Sequence, residues 1–131
     1  MKLPLGVEEE IKSLEAGELD PANFPHREHL RLGFEMLARH HFPEAALKMA
    51  RGLRRLAAKS GRPEVYHETI TIAFLAVIAQ RQAQFVGLDW DAFAAANPDL
   101  QDKGCLEKWY MEAELRSVAA RRTFILPRPA R

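Results

Sequence analysis

The sequence predicts an all-α protein, folded as a single-domain up-down helical bundle of four to six helices. No run alternates apolar and polar residues as a strand does, and the helix formers Ala, Leu, Glu and Arg dominate the chain. A length of 131 residues fits one domain, residues 1–131. Prolines precede helix-periodic segments, and a helix tolerates proline at its first position. They are Pro25, Pro43 and Pro63.

The first two predicted helices span residues 7–17 and 25–40. The first carries apolar Ile11 and Leu14 at helical spacing. Gly33 lies inside the second and costs about 1 kcal/mol of helix stability relative to alanine, which indicates the close approach of another helix. The apolar stripe predicted to face the core consists of Leu30, Phe34, Leu37 and Ala38.

The next two predicted helices span residues 43–59 and 63–85. The middle of the fourth helix, ITIAFLAVIA, is apolar on nearly every face, which predicts a buried helix. The residues of the third helix predicted to point inward are Leu47, Ala50, Leu53 and Leu56.

The C-terminal third is predicted to hold a short helix, a long helix and a tail. DWDAFAAANP forms one or two helical turns and stops at Asn97-Pro98, because the residue before proline disfavours helix. A last long helix spans residues 102–122. The tail from about residue 123 is extended and bears prolines. Its apolar residues, predicted to dock on the body, are Phe124, Ile125 and Leu126.

The composition and net charge exclude several classes of protein. A net charge of +1 provides no bulk attraction to nucleic acid or to an anionic membrane. No segment reaches the ~18 uninterrupted apolar residues of a membrane span, and the N-terminus does not resemble a signal peptide. A single cysteine, Cys105, excludes an intramolecular disulfide and fits a reducing compartment. We therefore expect a cytoplasmic protein with neither nucleic-acid nor membrane partners.

Three histidines are predicted to converge at one end of the bundle. His26 and His29 open the second helix in FPHREHL, and His67 lies near the start of the fourth. Short connections make helices two, three and four run up, down and up, so these two starts meet. The positive end of a helix dipole disfavours imidazolium, and burial does the same. Neutral imidazole is the form that binds metals and accepts protons.

This pattern predicts a polar pocket that binds a divalent metal ion, with Zn, Fe and Mn as candidates. The expected ligands are His26, His29 and His67, with Glu64 as an oxygen donor three residues before His67. Glu68 is a second carboxylate that could serve as ligand or base. In the alternative interpretation His67 only caps its own turn. Neither a reaction nor a catalytic residue is assigned.

Further pocket candidates depend on whether the last helix returns to the histidine end. Two alternative functions also stay open. Arg27 or Arg121 could help helix N-termini bind a small anion. A non-catalytic module could instead oligomerise or bind a partner through Trp90, Phe93, Trp109 and the FILP tail. The pocket candidates are Tyr66, Glu68, Thr69, Ser117, Arg121 and, as a second phenol, Tyr110.

Three short motifs resemble those of a group of small bacterial proteins of unassigned function. They are F-x-H-x-x-H-L, Y-H-x-T and the C-terminal A-A-R-R-T-F-I-L-P, and the resemblance covers about residues 24–127. It implies a shared architecture and a shared polar site, and it implies no reaction. The positions that it points to are Phe24, His26, His29, Tyr66, His67, Thr69 and Arg121.

Overall fold

The computed structural model describes residues 6–128, and this part of the chain is helical and contains no strand. Four short 3₁₀ helices lie between the α-helices, at Pro21–Asn23, Pro63–Val65, Pro98–Gln101 and Lys103–Lys108. The predicted all-α class is confirmed. The α-helices are α1 (Val7–Glu15), α2 (His26–Arg39), α3 (Phe42–Lys59), α4 (Glu68–Gln84), α5 (Trp90–Ala96), α6 (Glu112–Leu115) and α7 (Val118–Arg122).

The start of α4 differs from the prediction. Pro63 opens a 3₁₀ helix, and α4 begins five residues later, at Glu68. Tyr66 and His67 between them have extended backbones, with ψ of 138° and 109°. Extended geometry at the residue before a helix lets its side chain cap the first turn, and His67 does this here.

The predicted last long helix is wrong, because residues 102–122 form a 3₁₀ helix, α6 and α7 in succession. Polar side chains inside the segment start new helices. The Asp102 carboxylate accepts from the Gly104 N–H at 2.8 Å, and the Ser117 hydroxyl accepts from the Ala120 N–H at 3.0 Å. Glu114 similarly accepts from the Met111 N–H at 2.9 Å. The Ser117 and Glu114 bonds satisfy backbone donors that a continuous helix would have used, whereas the Asp102 bond caps a first turn.

Helix α2 lies between two apolar clusters. Leu30 and Phe34 belong to one cluster, with residues from α4, α5 and the C-terminal 3₁₀ segments. Leu32 and Met36 belong to the other, which joins α1 and α3. The predicted stripe therefore omits Leu32 and Met36, and its last member, Ala38, is exposed.

The predicted inward face of α3 is wrong at one position. Leu47 leaves 56% of its surface exposed, whereas Ala50 and Leu56 are buried. The α3 residues that complete the buried face are small or flexible: Ala45, Met49, Gly52 and Ala57. The pattern of leucine and alanine alone does not distinguish these buried residues of α3 from its exposed ones.

Close helix approach at Gly33 is confirmed. A Cβ atom on Gly33 would lie 2.9 Å from Leu75 Cδ2 of α4. Gly52 makes a tighter contact, because its Cβ would lie 2.6 Å from Leu14 Cγ and 2.9 Å from the Leu14 carbonyl oxygen of α1. Real Cβ atoms do not approach so closely, so both glycines set an interhelical distance.

Only part of the C-terminal tail docks as predicted. Thr69, fully buried in α4, donates to the Thr123 carbonyl at 2.8 Å and accepts from the Ile125 N–H at 3.1 Å. Ile125 also packs against the core. Phe124 and Leu126 stay 38% and 79% exposed, so for them the docking prediction is wrong.

The expected apolar interaction surface is reduced by the fold. Trp90 and Phe93 are 7% and 0% exposed and belong to the core, so they cannot contribute to a surface. Trp109 is 37% exposed. Among the described helices, none is both long enough and apolar enough to cross a membrane.

Candidate functional site

One pocket of about 480 Å³ lies where the start of α2, the end of α3 and the segment before α4 meet. His26, His29 and His67 all line it, together with Tyr66. This volume falls within the range typical of small-molecule sites. We call it the histidine pocket. Its other lining residues are Pro21, Phe24, Pro25, Leu53, Leu56, Ala57, Ser60, Val65, Ile70, Thr71, Phe74 and Lys103.

Both ring nitrogens of His67 are engaged by the backbone. Nδ1 accepts the Ile70 N–H at 3.1 Å, and Nε2 lies 2.6 Å from the Leu115 carbonyl oxygen. A carbonyl only accepts, so Nε2 carries a proton and the ring is in the Nε2–H form. His67 therefore caps α4 and anchors the C-terminal segment, and no lone pair of its ring is left for a metal.

His26 is held by one nitrogen. Nε2 donates to the Leu100 carbonyl at 2.9 Å, and the ring meets Phe74 edge-on with centroids 5.0 Å apart. Nδ1 makes no hydrogen bond within residues 6–128. In the neutral ring Nδ1 is an acceptor, because the proton lies on Nε2.

His29 is kept neutral by its surroundings. Its ring lies 4.4 Å from the Phe24 ring, centroid to centroid. Burial lowers the pKa of His29 from 6.5 to about 4, with help from the positive charges of His26 and Lys103, although a hydrogen bond with the Phe24 backbone raises it. At neutral pH the ring therefore keeps one nitrogen lone pair.

Tyr66 forms a closed polar group with its neighbours. Its hydroxyl donates to Glu68 at 2.5 Å, and the Arg54 guanidinium lies 5.2 Å above its ring and 3.4 Å from the Glu68 carboxylate. Burial, followed by the Glu68 carboxylate, raises the pKa of Tyr66. The phenol thus stays protonated and already has its acceptor, so Tyr66 and Glu68 form a structured wall of the pocket.

Most of the other predicted site residues have structural partners away from the pocket. Glu64 does not line it, and its side chain is 70% exposed near Arg62. Arg121 donates to the Glu64 carbonyl at 2.8 Å, which brings α7 to the 3₁₀ helix that precedes α4. Thr69 holds the tail, and Ser117 caps α7.

Two further candidates are also engaged elsewhere. Arg27 lies 3.9 Å from Asp91 and 5.8 Å from the Trp90 ring. The Tyr110 hydroxyl donates to the Ile125 carbonyl at 2.9 Å. Neither side chain lines the pocket.

Sequence reasoning missed Lys103 and most of the apolar lining. Lys103 is an exposed residue that reaches the pocket from the 3₁₀ segment, where a continuous helix had been predicted. An isolated surface lysine carries no sequence signal of this role. Phe74 and Ile70 were visible only as core residues of α4.

A smaller space of about 70 Å³ adjoins the histidine pocket, and we call it the inner chamber. Six residues line both spaces, among them His26 and His29. Those that line only the inner chamber are the apolar residues Leu30, Met49, Leu75 and Ile78.

Across residues 6–128, no three His, Cys, Asp or Glu side chains are grouped so that they could hold a metal ion. The arrangement instead presents two imidazoles beside an apolar cavity. They can accept hydrogen bonds, accept a proton or supply two ligands to an ion. No protein-family model, curated protein or solved structure matches this chain.

Proposed function

We propose that the chain binds a small organic molecule in the histidine pocket and that His26 and His29 accept hydrogen bonds from it. The observation that carries the proposal is a pocket of about 480 Å³ into which His29 brings a neutral ring. Ligand sites typically combine mostly apolar walls with a few placed polar groups, and this pocket has that composition. The function proposed is binding, and no reaction is assigned.

Metal binding is the second candidate, and His29 is what favours it. A neutral imidazole is the metal-binding form, and His26 Nδ1 is the other available nitrogen. A Zn, Fe or Mn ion would then take its remaining ligands from water or from the small molecule. His67 could join only by giving up the cap of α4, and Glu64 only by turning in from solvent.

The test compares the parent with a His26→Gln/His29→Gln double variant. Its matched control is His41→Gln, because His41 is exposed and lies outside the pocket. Thermal unfolding is followed with representative small acids, alcohols, amines and sugars, and with Zn²⁺, Fe²⁺ or Mn²⁺ alone. Binding to the folded state raises Tm.

We expect at least one organic class to raise Tm in the parent and the control but not in the double variant. Equal shifts in all three proteins, or none with any organic class, would overturn the proposal. A histidine-dependent shift with a metal alone, together with near-stoichiometric metal by elemental analysis, would select the second candidate.

The arrangement of the helices, the family and the cellular location are three further proposals. We propose that α2, α3 and α4 form the up-down order of one domain, which is supported by a pocket lined by the start of α2, the end of α3 and the start of α4. We also propose that the chain belongs to the bacterial group that it resembles, since its two histidine motifs line one pocket. The single cysteine supports a cytoplasmic location.

Self-association is a separate proposal that rests on exposed apolar side chains in the C-terminal part of the chain. Met111, Val118 and Leu126 are 51%, 68% and 79% exposed, and a partner would cover such apolar side chains. Sedimentation over a hundred-fold concentration range tests it. A Leu126→Asp variant should weaken any dimer, and a parent that is monomeric throughout would refute this proposal.

A further inference from the structure

We infer that the ligand is a small anionic molecule with a central hydrogen-bond donor and an apolar tail of about three carbons. This inference rests on the proposed function and specifies its ligand class. It follows from the order in which charged, polar and apolar side chains line the histidine pocket and the inner chamber. The tail, the donor and the anionic end of the ligand each match one group of these lining side chains.

The size and apolar lining of the inner chamber determine the length and the apolar character of the ligand's tail. The residues that line only this space are at most 2% exposed and carry no N or O in their side chains. An engineered apolar cavity of about 150 Å³ accommodates benzene, so about 70 Å³ suits roughly three carbons. An apolar group gains free energy there because it leaves water.

The side chains that line both spaces indicate the ligand's central hydrogen-bond donor. His26 and His29 line both, so a ligand that occupies both spaces lies against their rings. The His26 Nε2–H is already donated to Leu100, and His29 is neutral. His29 therefore has an acceptor nitrogen to offer, as has His26 Nδ1 in the neutral form of its ring, and a hydroxyl or an N–H on the ligand is the matching group.

The charged side chains of the histidine pocket indicate that one end of the ligand is anionic. Lys103 lines the larger pocket and does not line the inner chamber. No Asp or Glu side chain lines the histidine pocket within the described part of the chain. Glu68, the nearest carboxylate in sequence to His67, is already bound to Tyr66 and Arg54. A ligand carboxylate therefore meets the positive charge of Lys103, whereas an ammonium would be repelled by that charge.

The test uses 3-hydroxyhexanoate, whose carboxylate, hydroxyl and three-carbon tail follow in this order. The comparison compounds each change one part: 3-hydroxybutanoate has a one-carbon tail, 3-hydroxynonanoate a six-carbon tail, hexanoate no hydroxyl, and hexan-3-ol no carboxylate. Binding is followed by NMR of the histidine ring signals, up to roughly 10 mM ligand, the weak end of specific affinity.

We expect 3-hydroxyhexanoate to bind about 15-fold more tightly than 3-hydroxybutanoate, because each buried methylene contributes ~0.8 kcal/mol. The nonanoate should gain nothing further, since its tail exceeds the chamber. Loss of the hydroxyl should weaken binding about five-fold, the effect of one hydrogen bond. Perturbation of the His26 and His29 signals without any dependence on tail length would overturn the inference and leave the proposed function standing. Absence of binding by the whole series would overturn the inference, and the broader thermal screen then decides the proposed function separately.

Two variants separate the parts of the site. Leu53 is half-buried and lines both spaces, so Leu53→Phe should remove the advantage of the longer tail. Leu47→Phe, on the exposed face of the same helix, is its control and should retain it. Lys103→Gln should weaken 3-hydroxyhexanoate a few-fold and leave hexan-3-ol unchanged. If Lys103→Gln weakens the binding of both compounds equally, Lys103 does not bind the ligand carboxylate.

Discussion

His29 has a pKa of about 4 in the folded chain, against 6.5 for an ordinary histidine, and this shift makes stability depend on pH. Between these two values the unfolded chain binds a proton that the folded chain does not, so stability is complete above pH 6.5 and falls as pH drops towards 4. The loss approaches roughly 3 kcal/mol once the pH lies below 4.

Urea unfolding between pH 4 and 7 measures this dependence. We expect His29→Gln to flatten the profile over this window, since glutamine does not titrate. NMR titration of the parent should give the His29 ring a pKa near 4. A midpoint near 6.5 would show that the ring is solvated, and it would remove the reason for treating His29 as a neutral acceptor.

His67 is expected to act on stability through its two backbone hydrogen bonds. His67→Ala removes the α4 cap, worth about 1 kcal/mol, and the bond to the Leu115 carbonyl, worth about as much. The free energy of unfolding should fall by about 2 kcal/mol, and His67→Asn should recover the capping half. His41→Ala is the control, because His41 precedes α3 without a side-chain cap and should change stability by less than about 0.5 kcal/mol. A loss that depends on added zinc would instead indicate a metal ligand.

At the scale of helices, the contact between α1 and α3 depends on Gly52. Alanine is the better helix former by about 1 kcal/mol, yet its Cβ would meet both the side chain and the backbone oxygen of Leu14. Backbone cannot move aside cheaply, so Gly52→Ala should lower the free energy of unfolding by about 1–3 kcal/mol.

The matched variant is Gly33→Ala, whose Cβ meets only the tip of Leu75 at comparable distance. A flexible tip can rotate away, so this change should be much milder than Gly52→Ala. Chemical denaturation of both variants measures the difference. Equal losses would mean that helix propensity or general crowding, and not the Leu14 backbone, controls the effect at Gly52.

At the scale of the whole molecule, Thr69 ties the C-terminal segment to α4. Thr69→Val keeps the shape of the side chain but leaves the Thr123 carbonyl and the Ile125 N–H without their partner. We expect a loss of about 2–3 kcal/mol and amide hydrogen exchange at Ile125 at least about ten-fold faster. Thr71→Val is the control, because the Thr71 hydroxyl donates to the His67 carbonyl one turn away and makes no hydrogen bond to the described part of the C-terminal tail. Unchanged exchange at Ile125 would show that the tail is held by apolar packing alone.

The all-α class and the first three helices follow from local patterns. Helical periodicity and cap preferences are interactions between residues at most four positions apart, so a sequence read by itself reports them. The short connections between helices indicated in addition that His26, His29 and His67 belong to one end, and all three line one pocket. The cap at Ser117 is also a local interaction, but the apolar periodicity of residues 102–122 by itself does not reveal it.

What each histidine does was decided only by the tertiary structure. His26 meets the carbonyl of Leu100, 74 residues away, and His67 meets that of Leu115, 48 residues away. Lys103 reaches the pocket only because the segment after α5 folds back over α2 and α4. Hydrogen bonds over such separations depend on how helices pack, which no local pattern encodes. The sequence by itself thus determined the all-α class, the first three helices and which histidines line one pocket, whereas packing decided that His67 is a cap and that His29 stays neutral beside a cavity.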